Sequence, residues 1–396
     1  MSTNDEHTSA GRGLLAPVTP PTLDDDADAR DPRRRELRTW LAEHPDPSGA
    51  QLAAQGLVAP AWPAPWGRNA DVEYQLLIDD ELARARVTRP INPIGIGWAG
   101  PTLIYAGTPD QQARWIPGLM SGEEFWCQLF SEPEAGSDLA ALATRARRDG
   151  DEWVISGTKI WTSYAHLATW GILLARTSNE ARQRGVSYFV CPMDAPGVTI
   201  RPIIDMTGDH AFNEVFLDEV RVPLDYLVGE AGDGWRLAKV TLGNERVSLS
   251  GEGALWGRGP TAQDLLDEVR ERGVAHDDLE RDALVRCWSH GEILRLLRLR
   301  LLEAARAGRE PGPEASVRKA LADDHGQEVM ALAQRLAGSA GMLAGRGPGG
   351  DASGEGAEWG YGFLYSRALT IGGGTSEVQR NIIAERVLGL AREAIS

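Results

Sequence analysis

Cysteine is scarce: Cys127, Cys191 and Cys287 are the only three in 396 residues. Their number is odd and their spacing is far from any zinc-binding pattern, which argues against a disulfide framework and fits a reducing compartment with buried thiols. Long apolar runs are missing as well, so no segment is expected to cross a bilayer. The N-terminus opens polar and acidic, without the basic stretch and apolar core of a secretory leader, and export is not expected. Basic side chains are outnumbered, 41 against 57 acidic ones, for a net charge of −16. That field repels phosphate backbones and argues against nucleic acid as a partner. The expected location is cytoplasmic.

What is present is an ordinary globular composition, 42% apolar and 25% charged, in a chain long enough for two or three packed units. Residues 1–34 mix Ser, Thr, Pro, Asp and Arg, with the run Asp24, Asp25, Asp26, and read as a loose tail. Residues 35–123 carry helical periodicity: Tyr74, Leu77, Ile78, Leu82 and Ala85 share one face, and Thr108 and Pro109 read as N-cap and first helical residue. Residues 124–230 turn to short β runs at 153–155, 171–175, 186–190, 198–204 and 214–217. The helical period then returns, over 242–249, 264–269, 293–305, 315–343 and 375–394, so residues 231–396 read as a helical bundle. Breaks at 309–313 and 345–362 read as surface loops. The fold class expected is α+β and multidomain: helical, β, helical.

A flat cofactor could lie between the second and third units, since domain junctions host such sites. Four segments point there. The run Gln128, Leu129, Phe130, Ser131, Glu132, Pro133, Glu134, Ala135, Gly136, Ser137, Asp138 ends an apolar strand in a turn with free N–H groups and two hydroxyls; a plain tight turn accounts for it equally. In Gly157 to Ser163, Trp161 precedes the hydroxyls of Thr162 and Ser163 and could cover a flavin face, or simply sit in the core. Gly372, Gly373 and Gly374 precede Thr375, Ser376 and Glu377, where a helix start could approach an anion; Ser376 and Gln379 have capping-box spacing. Last, Glu245 follows Leu242 by three residues and precedes Leu249 by four, which turns it inward, and no basic residue lies three or four positions away. A rotated helix with Glu245 in solvent is the alternative.

Together these motifs resemble the acyl-CoA dehydrogenases, in order, from about Arg35 to the C-terminus. The carriers are the Ser-Glu-Pro-Glu-Ala-Gly-Ser-Asp turn, the Trp-Thr-Ser strand and the tail Gly-Thr-Ser-Glu-Val-Gln-Arg-Asn-Ile-Ile-Ala-Glu-Arg-Val-Leu-Gly. The resemblance implies an N-terminal helical domain, a β-barrel-like middle domain and a C-terminal four-helix bundle. It implies FAD, with Gln128, Leu129, Phe130, Ser131, Gly136, Ser137, Trp161, Thr162, Ser163, Gly374, Thr375 and Glu377 around it. An acyl-CoA substrate would meet Ser137, Asn244, Arg246 and Gly373. It further implies an electron-transferring flavoprotein as electron acceptor and a homodimer or homotetramer.

Two departures stand out. Many relatives carry the catalytic base two residues before the tail Thr, where this chain has Gly373; the isovaleryl-CoA and long-chain branches place it on the inward helix, at the position of Glu245. The Arg-x-x-Phe-Gly segment that reaches a neighbouring subunit's FAD is missing, because no Phe occurs between Phe216 and Phe363. That loss raises a heteromeric assembly. The reading is an FAD-dependent acyl-CoA dehydrogenase with Glu245 as base. Its alternatives are a dehydrogenase or oxidase of carrier-protein-bound acyl groups and a non-catalytic partner subunit.

Overall fold

The computed structural model describes residues 31–180, 182–248, 254–255, 259–273, 277–306, 312–313, 315–339 and 357–391. Five α-helices come first: α1 Pro32–Glu43, α2 Gly49–Ala54, α3 Val72–Arg84, α4 Gly100–Ala106 and α5 Pro109–Ser121. Their starts follow from side-chain caps. Asp31, Ser48, Asp71 and Thr108 each accept a hydrogen bond from a first-turn N–H, which satisfies donors a helix start otherwise leaves open. The expected face of α3 holds in part: Leu77, Ile78 and Leu82 are buried and Tyr74 half-buried, but Ala85 is exposed, because the helix ends at Arg84 with Ala85 as its C-cap. Residues 31–34 are not part of a loose tail, because α1 starts at Pro32 and buried Arg34 pairs with Asp80 and Glu81 of α3. The Asp24–Asp26 run lies outside the described residues.

Strands β1 Trp126–Leu129, β2 Arg145–Asp149, β3 Glu152–Ser163, β4 Trp170–Arg176, β5 Val186–Pro192, β6 Val198–Ile203, β7 Phe212–Pro223 and β8 Leu227–Val228 make one sheet. Its order is β6-β7-β3-β2-β4-β5-β8, with β1 added parallel to β4. Two cores meet on β4, whose successive side chains point to opposite faces. Ile172 and Leu174 pack with Leu77, Ile78 and Trp115 of the helical unit. Leu173 and Ala175 pack with Ile155, Phe189 and Val215 inside the sheet unit. A strand buried on both faces reads as a continuous apolar run, which is why 171–175 was legible. Strand β2 was not, since Arg145, Arg147 and Arg148 hide any alternation.

The third unit comprises α6 Gly234–Ser248, α7 Ala262–Arg272, α8 Asp278–Arg306, α9 Ala315–Leu336, α10 Ala357–Tyr365 and α11 Ser376–Ile382. Its own core gathers Leu265, Cys287, Val329, Met330 and Trp359. Helix α9 is central, packing against α6, α7, α8, α10 and α11. Two expectations need correction. The stretch 357–362 is helical, not loop, because Trp359 is buried and a Cβ on Gly362 would stand 2.5 Å from Met330 Sδ. The last helix passes into a π-helical turn over Ile383–Val387 and stops there, with Gly389 at a φ of 68°, so it does not run to Ala394. All three cysteines are free and buried.

Candidate active site

The Ser-Glu-Pro-Glu-Ala-Gly-Ser turn and the Trp-Thr-Ser strand are held together by groups that sequence reading passed over. Glu132 is buried, and its carboxylate accepts from Ala143 N (2.6 Å), Thr144 N (3.0 Å) and Lys159 Nζ (2.7 Å). Lys159, fully buried, also donates to Phe130 O (3.2 Å) and Leu174 O (2.8 Å). Burial pushes the Glu132 carboxyl up, but Lys159 and the two N–H groups outweigh it and hold it below its ordinary range. Burial brings the Lys159 ammonium down to about 8, against the pull of Glu132. Three donors around the Glu132 carboxylate and three acceptors around Lys159 Nζ favour the charged form of each. Ile160 N donates to Ser131 O (2.9 Å), completing the junction. Gly157 is required there: a Cβ would lie 2.2 Å from Thr144 Oγ1.

With its neighbours so fixed, Trp161 stands out. The pairing of β3 with β7 slips between Lys159 and Thr162, and Trp161 sits in that irregularity with a φ of 60°. A non-glycine residue in the left-handed region costs about 1–2 kcal/mol. Strain of this kind gathers at ligand sites. Trp161 is 57% exposed, and its ring meets Phe212 edge to face, ring centroids 5.9 Å apart, so the core explanation for Trp161 fails. Thr162 is instead fully buried, and its carbonyl accepts from Asn213 Nδ2 (3.1 Å); Ser163 is half-buried. Gln128 and Ser131 are half-buried, Leu129 and Phe130 buried, and Gly136 and Ser137 exposed with open space around Gly136.

Beside that turn lies an open groove of about 550 Å³ lined by Arg145, Arg147, Arg148, Arg176 and Arg182 together with Glu180, and Arg147 also pairs with Asp149 and Glu219 outside it. Arg182 pairs with Asp138 (2.8 Å), and Arg176 donates to Ala140 O (2.6 Å) and Leu142 O (2.8 Å). A dense basic cluster on a chain of net charge −16 is a local reversal of field suited to phosphate groups.

The glycine turn precedes α11, with Gly373 and Gly374 at φ of 67° and 94°. The N-cap is Thr375, whose Oγ1 accepts from Val378 N (3.3 Å), not Ser376 as its spacing with Gln379 suggests. Gln379 Nε2 instead donates to Gly373 O (3.1 Å) and Gly374 O (3.3 Å). Buried Lys319 of α9 donates to Gly374 O (2.8 Å) and Leu369 O (3.2 Å). Ser376 Oγ and Gln379 Oε1 are buried without a hydrogen-bond partner among the described residues. Glu377 is exposed and lies 3.7 Å from Arg380.

Glu245 is 7% exposed on α6, so the inward reading holds and the solvated one does not. A hydroxyl cluster one turn earlier seats that helix: Thr241 Oγ1 lies 2.8 Å from Thr102 Oγ1 and 3.1 Å from Tyr188 OH. Nothing in the helical period announced it, because its members are far apart in sequence. Asn244 is half-buried and donates back to Val240 O (3.0 Å). Leu249 and the Arg246 side chain lie outside the described residues. Helix α9 touches both α6 and α11, linking Glu245's helix to the glycine turn. Among the described residues, β1 and β3 do not pack extensively against α11.

A helical unit, an eight-stranded sheet and a helical bundle follow one another along the chain. Three family models match in succession: the N-terminal domain of acyl-CoA dehydrogenase over residues 27–123, the middle domain over 127–220 and the C-terminal domain over 232–388. Acyl-CoA dehydrogenase IpdE1 of Mycobacterium tuberculosis is 44% identical over 91% of this chain and 89% of its own length. Acyl-CoA dehydrogenase FadE34 of the same organism is 44% identical over 86% of this chain, which spans about half (46%) of that relative. Among solved structures, the Tcur3481-Tcur3483 steroid ACAD superimposes with a TM-score of 0.74 at 30% identity, over 91% of this chain and 97% of that one. The ChsE4-ChsE5 complex from Mycobacterium tuberculosis gives 0.73 at 30% identity, over the same shares of 91% and 97%. The chain belongs to the acyl-CoA dehydrogenase family and is an enzyme of that class.

Proposed function

We propose that this enzyme carries out FAD-dependent α,β-dehydrogenation of an acyl-CoA thioester to the trans-2-enoyl-CoA, with Glu245 as the base. The observation that carries the reading is a buried carboxylate on α6, in a chain whose other family position for the base is Gly373. The residues present fit FAD: an exposed Trp161 held in a left-handed backbone offers a stacking face, and Ser376 Oγ and Gln379 Oε1 wait as unpartnered buried polar atoms beside the glycine turn. FAD, when bound, accepts the hydride from the β carbon. The chain's share is the proton: Glu245 takes it from the α carbon, made acidic by the thioester carbonyl. The arginine groove beside Ser137 supports CoA itself, whose phosphates are the groups such a cluster would hold, over a carrier protein.

Within this proposal the enzyme works in a multichain assembly and passes electrons to an electron-transferring flavoprotein in the cytoplasm. Ile293, Leu296 and Leu299 leave an apolar stripe exposed on α8, a surface that monomers rarely tolerate. The two structures at 30% identity are named for pairs of chains. The missing Arg-x-x-Phe-Gly favours a related second chain over a homo-oligomer. The term steroid in one of those names makes a polycyclic acyl-CoA the first substrate to try. The test is anaerobic titration of the flavin-loaded assembly with a panel of acyl-CoA thioesters. Bleaching of the flavin band by one of them supports the reading, and no bleaching by any, in the presence of the second chain, refutes it.

A further inference from the structure

Away from the active site, α8 and α9 bring three metal-ligating side chains together. His290 comes from α8, and His325 and Glu328 come from α9, three residues apart and hence on one face. One ligand atom of each lies within 4.8 Å of those of the other two. His290 Nδ1 and Glu328 Oε2 are already 3.0 Å apart, and the two rings are 6.4 Å apart, centroid to centroid. His325 is 8% exposed, and its Nδ1 has no hydrogen-bond partner among the described residues. Gly291 of α8 faces the ring, where a Cβ would make ordinary contact, 3.5 Å from His325 Nε2.

We infer that His290, His325 and Glu328 form a site for one divalent transition-metal ion that ties α8 to α9. Two imidazoles and one carboxylate are the donor set that zinc accepts, with a fourth position left to water. Facing helices of a bundle supply such sites through an i, i+3 pair on one helix and a single ligand on its neighbour. A tetrahedral ion about 2.0–2.1 Å from each donor needs ligand atoms roughly 3.4 Å apart, so the cluster closes by about an ångström or more. The half-exposed His290 and Glu328 can make that adjustment while His325 stays fixed. Helical geometry turns Ile293, Leu296 and Leu299 of the exposed stripe roughly 60°, 120° and 180° around α8 from His290, so a partner seated on the Leu296 and Leu299 end of it need not cover the ion.

The test is isothermal titration of Zn2+ into the full chain after chelator treatment, repeated for His290→Ala and Glu328→Gln. Both residues are half-exposed, so the fold is retained, and circular dichroism checks it. The wild type is expected to take up one tightly held Zn2+ that each substitution weakens at least about tenfold, as loss of a ligand should. The thermal midpoint should rise with Zn2+ in the wild type and not in the variants. Uptake that is absent, or undiminished in both folded variants, overturns the site; the second result would move the ion elsewhere, for instance to the His166–His210 pair.

Discussion

Glu245 is where the chemistry proposed here is most exposed to refutation. Glu245→Gln keeps the shape of the side chain and removes its basicity. It should leave FAD and acyl-CoA binding in place and slow flavin reduction at least about a hundredfold, the scale of losing a general base. Stopped-flow reduction by the best substrate measures this, and an unchanged rate puts the base elsewhere. Adding Gly373→Glu to that variant asks whether the two family positions reach the same proton. Gly373 has a φ of 67°, so the new glutamate carries about 1–2 kcal/mol of backbone strain, and recovery should be partial. Trp161 offers a second residue-scale prediction. Trp161→Gly and Trp161→Ala both remove the stacking face, and both should lower FAD retention. Only glycine relieves a φ of 60°, so the glycine variant should be the more stable apoprotein by about 1 kcal/mol in urea denaturation. Equal stabilities would mean that the left-handed backbone at Trp161 stores no strain.

At the scale of elements, the Glu132–Lys159 pair joins β3 to the turn after β1, and it is a structural device inside what the motif presents as a ligand-binding turn. Glu132→Gln leaves a buried ammonium without its carboxylate and should cost about 3–5 kcal/mol. Glu132→Gln with Lys159→Met removes both charges and should recover much of that loss. The pH dependence follows from the direction of the Glu132 shift. Its carboxyl titrates lower in the folded chain than its ordinary value of 4.5. Its contribution to stability is therefore fully present above about 4.5 and is lost as the pH falls through the lower folded value. Chemical denaturation followed from pH 7 down to pH 3 should show this acid slope in the wild type and a flatter one in the double variant. Identical slopes would assign acid sensitivity to other carboxylates, such as those of Asp80 and Glu81.

For the molecule as a whole, the lack of extensive packing between β3 and α11 leads to a prediction about assembly. If the turn before α11 serves a cofactor held by an adjacent chain, one chain alone makes two half-sites. Expressed by itself, the protein should hold FAD at well below one per chain, and co-expression with a related second chain should complete the loading. Light scattering with flavin absorbance reads both quantities. A monodisperse, fully loaded homo-oligomer would remove the need for the second chain.

Family, domain order and the inward face of α6 were legible in the linear order of residues, because motifs and hydrophobic periods are local properties of the chain. Thr108 as a cap, the face of α3 and the β runs of the middle unit are of this kind, and the motif run from Gln128 to Ser137 marked the turn. Caps with two candidates were not settled this way: Thr375 and Ser376 are adjacent hydroxyls, and only the path of the glycine turn decides that Thr375 meets the Val378 N–H. Glycine composition likewise suggested a loop over 357–362, where burial of Trp359 and contact with Met330 make a helix. The Lys159–Glu132 junction, the Thr102–Thr241–Tyr188 hydroxyl cluster, the Lys319 bond to the glycine turn and the arginine groove all join residues from separate elements. Their members gain meaning only when packing removes water from between them, because a hydrogen bond or ion pair at long sequence separation has no local signature. The sequence by itself thus determined the class of enzyme and the order of its parts, while the tertiary structure decided which polar side chains brace the site and which face outward to meet a ligand.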